Sequence, residues 1–184
     1  MANKQILFIH SAGSQDGPDN GSNAFLAFLQ KNLDADYDFR HPLMPNPGAP
    51  SYKAWKAEFA NNFNSLDDGA ILIGHSLGGS VILKYLSDHN ILKTVAGVFI
   101  AASPYWGADK DWQVPEYNLR DNFSSYLPPV RYFLYQSHDD EVIPQAHFDK
   151  YSHEMPQATA RLVDAGGHQL KKGISELVGD VKSL

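Results

Sequence analysis

The segment Gly74-His75-Ser76-Leu77-Gly78 sets one serine between two glycines, each two residues away. A serine hydroxyl becomes a nucleophile when a base removes its proton and a third group orients that base. A turn tight enough to push the hydroxyl out beyond a strand leaves no room for side chains two residues before or after it. Glycine at both places meets that need, and the serine itself is held in a strained conformation. The N–H of Leu77 would open a helix, where unpaired donors and the dipole favour an oxyanion. Gly79 would let another element pack close to that helix. The plainer reading of the same residues is a helix N-cap serine beside packing glycines.

The base and the acid should follow the serine in the order Ser, then Asp or Glu, then His, each on a loop after a later strand. His168, in "DAGGHQL", follows the last apolar run, and two glycines free its loop to swing the ring toward Ser76. The plainer reading is an exposed histidine at a helix start. For the acid, "SHDDEVIPQ" offers Asp139, Asp140 and Glu141. Asp140 is preferred, because Val142-Ile143-Pro144 reads as a buried anchor and a helix start. Asp139 would then cap the turn, and Asp164, on the loop of His168, is the alternative. His10 is expected to hydrogen-bond the elbow loop and His75 to pack beside the strand. His138, His147 and His153 read as surface or structural positions, since no H-E-x-x-H spacing occurs and no metal is expected.

Such residues need a frame. Ile6-Leu7-Phe8-Ile9, "AILIG", "TVAGVFIAA", "RYFLYQS" and "TARLVDAGG" read as strands, several apolar throughout and so buried on both faces. "DADYDFR" holds a further short strand. Helices are expected after Ser22, with Phe25, Leu26, Leu29 and Leu33 at helical spacing, and over Ser51–Leu66, with Trp55, Phe59 and Phe63. "SLGGSVILKYLSDH", "PQAHFDKYSHEM" and "HQLKKGISELVGDVKSL" complete the set. Alternating strands and helices imply a three-layer α/β/α sandwich around a mostly parallel sheet, with ligands bound beyond the carboxyl ends of the strands. Residues 103–125 break the pattern. They hold Tyr105, Trp106, Trp112 and Tyr117 without a clear period, and are read as an irregular excursion that either walls a pocket or covers the sheet.

The 184 residues suit one domain, 1–184, able to bury a core without disulfide or metal. Hydrophobic residues are 43% and charged residues 20%, ordinary for a globular protein. A net charge of −6 argues against nucleic acid as the main partner. The absence of cysteine excludes disulfides, Cys-based zinc sites and a cysteine nucleophile. The apolar run Ile6–Ile9 is too short for a signal-peptide core or a membrane span, so a cytoplasmic location away from membranes is the default expectation.

With "ILFIHSAG", "LIGHSLGG", "AASPYWG", "SHDDEVIP" and "DAGGHQL" in hand, the chain resembles the α/β-hydrolase superfamily over nearly its whole length. More narrowly it resembles the small serine hydrolases related to the retinoblastoma-binding hydrolase, with bacterial members of the YdeN kind. That resemblance implies Ser76 as nucleophile, Asp140 as orienting acid and His168 as base. It implies a reduced sheet, no large lid and no cofactor. It also implies a second oxyanion donor on the loop after the first strand, where His10-Ser11 stands in place of the common His-Gly or Pro-Gly. The aligned N–H is that of Ala12, with Ser11 as the alternative. His10, Ser11, His75, Tyr105 and Trp106 are the expected substrate contacts. The expected activity is hydrolysis of a small-molecule carboxylic ester, thioester or amide through an acyl-enzyme. A second reading keeps the hydrolase fold as a protein-binding module with vestigial catalysis, against which the intact Ser76, Asp140 and His168 set argues. Dehalogenase-like chemistry would want an aspartate where Ser76 stands.

Overall fold

Ile6-Leu7-Phe8-Ile9 offers no polar side to water, and all four residues are fully buried on the first strand. The computed structural model describes residues 3–184. Its strands are β1 (Lys4–Ile9), β2 (Tyr37–Arg40), β3 (Ala70–His75), β4 (Val95–Ala101), β5 (Arg131–Ser137) and β6 (Thr159–Val163). Its helices are α1 (Asn23–Leu33), α2 (Tyr52–Asn64), α3 (Leu77–Asp88), α4 (Gln145–Glu154) and α5 (Ser175–Lys182). The strands form one sheet in the order β2-β1-β3-β4-β5-β6, with every adjacent pair parallel.

The two-residue period of a strand explains why the inner runs are apolar throughout. Ile6, Phe8, Ile71, Ile73, Phe99 and Phe133 face one layer, where Phe25 and Leu29 of α1 and Leu177 and Val181 of α5 cover them. Leu7, Ile9, Leu72, Val98, Ile100 and Leu134 face the other, beneath Trp55 and Phe59 of α2, Val81 and Leu86 of α3 and Phe148 and Tyr151 of α4. The result is a three-layer α/β/α sandwich without a large lid. No helix among the described residues is long and apolar enough to cross a membrane.

Some expectations shift. The sequence pattern predicts a final helix over residues 168–184, but only Ser175–Lys182 is helical. Gly173 breaks it: its φ is +73°, and a Cβ there would lie 2.0 Å from the Phe28 ring. The last strand ends at Val163, so residues 164–174 form a connection that carries His168. Ser22 sits at the N-cap of α1 without making a side-chain cap bond, because its hydroxyl is used elsewhere. Ser51 does cap α2, accepting from the Ala54 N–H at 3.4 Å. The excursion holds only two single 3-10 turns, at Pro115–Tyr117 and Phe123–Tyr126.

Candidate active site

Strand β3 is buried along its whole length and ends at the centre of the sheet, between β1 and β4. Ser76 follows with φ 51° and ψ −120°, a conformation that a non-glycine residue adopts only when its surroundings impose it. Two hydrogen bonds fix it: the Ser76 N–H donates to Ala101 O at 2.8 Å, and Ser103 Oγ donates to Ser76 O at 2.7 Å. The flanking glycines answer to close approach. A Cβ on Gly74 would lie 2.6 Å from Gly79 Cα, and one on Gly78 would lie 2.2 Å from Ile9 O.

The loops after β5 and β6 bring the other two groups to this serine. His168 Nε2 lies 3.0 Å from Ser76 Oγ, and His168 Nδ1 lies 3.1 Å from Asp140 Oδ2. The Asp140 side chain is almost wholly buried. Burial alone would raise its pKa. The hydrogen bonds from His168, Ile143 N–H and Val142 N–H outweigh that and hold it below the usual carboxylate range. Gln136 Nε2 adds a donor to Asp140 Oδ2 at 2.8 Å.

All three adjacent carboxylates grip the same loop. Asp139 Oδ1 accepts from Gly166 N–H at 2.9 Å and Gly167 N–H at 2.8 Å, and it also takes the Ser137 hydroxyl. These donors, the Ser137 hydroxyl foremost, lower the Asp139 pKa to about 2. Glu141 Oε2 accepts from the main-chain N–H of His168 at 3.0 Å. Asp164, the alternative acid, is exposed at the end of β6.

Main-chain donors near Ser76 sort by elimination. Ser11 N–H donates to Ser22 Oγ and Gly13 N–H to Pro47 O, both at 2.8 Å. The Ala12 and Leu77 N–H groups donate to no acceptor among the described residues, and both residues line the same cavity as Ser76 and His168. That cavity is about 410 Å³. Its apolar wall is Pro104, Trp106, Trp112, Val114, Tyr117 and Val142, and none of its lining residues is Asp, Glu, Lys or Arg. Trp106 stacks on Tyr117 at 5.1 Å, meets Trp112 edge-on at 5.2 Å, and donates its indole N–H to Ser80 Oγ at 3.0 Å. A larger hollow of about 620 Å³, bordered by Asp67, Asp68 and Lys93, holds none of these groups.

Three expected substrate contacts are corrected by their placement. His10 is buried outside the cavity, edge-on to Phe8, and neither ring nitrogen has a hydrogen-bond partner among the described residues, so it does not bond the elbow. His75 is fully buried beneath the elbow, because a residue next to the outward-facing Ser76 points the other way. Tyr105 turns toward α4, donating its hydroxyl to Glu154 at 2.6 Å, while the next residue, Trp106, lines the cavity. Ser11 and Trp106 do line it. Of the two readings of His147, surface or structural, the structural one holds: it is buried and ties the excursion to α4, accepting from Tyr105 N–H and contacting Asp109. Sequence reading misses Gln169, Val142, Pro50, Pro104 and Val114 as lining residues. Of the expected Val142-Ile143 anchor, Ile143 alone is buried, and Val142 turns to the cavity; Pro50, from the loop before α2, carries no signal in the sequence.

Known proteins share this fold. A family model described as serine hydrolase matches residues 23–179. The protein YdeN of Bacillus subtilis is 25% identical over 177 residues, covering 91% of this chain and 87% of that protein. Its crystal structure superposes with a TM-score of 0.73 at 19% identity over 98% of each chain. The esterase RhEst1 from Rhodococcus sp. ECU1013 superposes at 0.70, with 15% identity over 99% of this chain and 90% of that one. A serine hydrolase involved in carbazole degradation superposes at 0.72, with 12% identity over 98% and 90%. The structural matches speak for the α/β-hydrolase fold, and the family model spans most of the chain. On these grounds the chain belongs to the serine hydrolase family and is a hydrolase.

Proposed function

We propose that the chain hydrolyses an uncharged carboxylic ester through an acyl-enzyme on Ser76. One observation carries this reading: Ser76 Oγ stands 3.0 Å from His168 Nε2 in the wall of an apolar cavity. His168 Nε2 takes the Ser76 proton as Oγ bonds to the substrate carbonyl carbon. The carbonyl oxygen becomes an oxyanion, for which the N–H groups of Leu77 and Ala12 are the donors. Such donors are worth about 3–4 kcal/mol each. Asp140 keeps the imidazole oriented and balances its charge. The oxyanion collapses, the carbon–oxygen bond to the alcohol breaks, and His168 returns the proton to the leaving oxygen. Water then repeats the sequence on the acyl-enzyme, with His168 as base, and releases the acid.

Thioesters and amides would use the same groups. The cavity argues for neutral substrates, since a charged acyl group would be buried without a counter-ion. Intact-mass labelling with a fluorophosphonate tests the reading. One adduct on wild type and none on Ser76→Ala is the expected outcome. No adduct on folded wild type would overturn it and bring the protein-binding reading forward.

A further inference from the structure

His75 occupies the elbow beside the nucleophile, yet it faces neither cavity nor solvent. Both of its ring nitrogens are engaged. Nε2 lies 2.8 Å from the main-chain O of His168, and Nδ1 lies 2.8 Å from Ser22 Oγ. A carbonyl oxygen can only accept, so Nε2 carries the proton and Nδ1 accepts from the Ser22 hydroxyl. Ser22 Oγ in turn accepts from Ser11 N–H at 2.8 Å and lies 3.1 Å from Ser11 Oγ. The chain of bonds therefore runs Ser11, Ser22, His75, His168. It joins the loop after β1, the start of α1, the end of β3 and the loop after β6.

We propose that Ser22 and His75 are positioning residues that tie the main chain of His168 to Ser11, holding the base and the Ala12 N–H in register about Ser76. The proposal rests on the acyl-transfer reading above. Two features favour positioning over simple filling of the interior. Ser22 stands at an N-cap, where serine ordinarily bonds the helix, and it makes no cap bond; its hydroxyl is spent across the molecule instead. The segment it steadies also needs steadying. Gly166 and Gly167 precede His168, and the carboxylates that grip them and the His168 N–H all come from the β5 side. The His75 bond is the hold on the other side of the same residue, at its carbonyl. The ring stays neutral in this role, because burial, assisted by the nearby His168 ring, lowers the His75 pKa to about 3 against the opposing pull of the bond to the His168 carbonyl and, less, of Asp140. Without that hold the β5-side contacts anchor His168 from one side only and no longer couple it to the Ala12 N–H, and misplacement of about 1 Å is costly to catalysis.

The test compares Ser22→Ala, Ser22→Thr and wild type. The readouts are kcat and KM on p-nitrophenyl acetate, the rate of fluorophosphonate labelling and Tm. Ser22→Ala should lower kcat and the labelling rate by about 10- to 100-fold, with KM changed by less than about twofold. Ser22→Thr, which keeps the hydroxyl, should recover most of the loss. A folded Ser22→Ala enzyme that labels at the wild-type rate would overturn the proposal and leave the acyl-transfer reading standing. Failure of wild type itself to label would sink both. A second measurement needs no variant: nitrogen-15 spectra of histidine-labelled wild type should show His75 neutral with its proton on Nε2. A proton on Nδ1 would overturn the proposal whatever the variants do.

Discussion

Asp139, Asp140 and Glu141 are the same kind of group three times over, and only their partners separate them. Asp140 alone meets a ring nitrogen of His168; its neighbours hold main-chain N–H groups of the same loop. Asp140→Asn should therefore lower kcat by about 10⁴-fold, as the loss of the orienting acid does elsewhere, in a protein that still folds. Asp139→Asn should cost far less. Equal losses in a steady-state comparison would show that the acid is wrongly assigned. His10 supports a prediction of a different kind. Burial, with a smaller effect of His41, lowers its pKa from 6.5 to about 4. The unfolded chain thus takes up this proton first as pH falls, and stability declines between about pH 6.5 and pH 4 before levelling. The slope for one such group is about 1.4 kcal/mol per pH unit. His75, at about 3, extends the decline to lower pH. His10→Phe should flatten the dependence of Tm on pH over that window; parallel curves for variant and wild type would refute the account.

At the scale of the element, the elbow is the join of β3 to α3, and its tightness is a matter of backbone against backbone. Gly78→Ala would press a methyl group against Ile9 O and His10 O, neither of which can rotate away. Overpacking of this kind costs about 1–3 kcal/mol, and here β1 must move as well. Tm should fall and labelling of Ser76 should be lost with it. Gly48→Ala is the matched control. Nothing lies within 4 Å of where its Cβ would stand and its φ is not in the left-handed region, so Tm and labelling should match wild type. The elements themselves are legible in the sequence. Hydrophobic runs mark β1, β3, β4 and β5, and helical spacing marks α1 and α2. What escapes is the break before α5, since the reason for it, the Phe28 ring against Gly173, comes from a helix near the other end of the chain.

For the molecule as a whole, the parallel sheet gathers chemistry from distant parts of the chain to one edge. Ser76, Asp140 and His168 come from loops after β3, β5 and β6, and the excursion after β4 supplies the aromatic wall. Trp106 is central to that wall, stacked on Tyr117, set edge-on to Trp112 and anchored through Ser80 to α3. Trp106→Ala should enlarge the cavity and shift the preference among p-nitrophenyl esters toward longer acyl chains, while fluorophosphonate labelling persists. An unchanged chain-length profile in a folded variant would mean that the tryptophan only covers the sheet.

The alternation of strands and helices, the elbow at Ser76 and the places where an acid and a histidine should follow are all legible in the order of the residues. Periodicity, glycine spacing and chain order are local properties, readable without coordinates. Which carboxylate meets His168, which main-chain N–H beside Ser76 lacks an acceptor among the described residues, and that His10, His75 and Tyr105 lie away from the cavity emerge from folding alone. Those outcomes depend on distances of about 3 Å between residues tens of positions apart. Burial from several elements at once sets such distances, and no stretch of sequence encodes it alone.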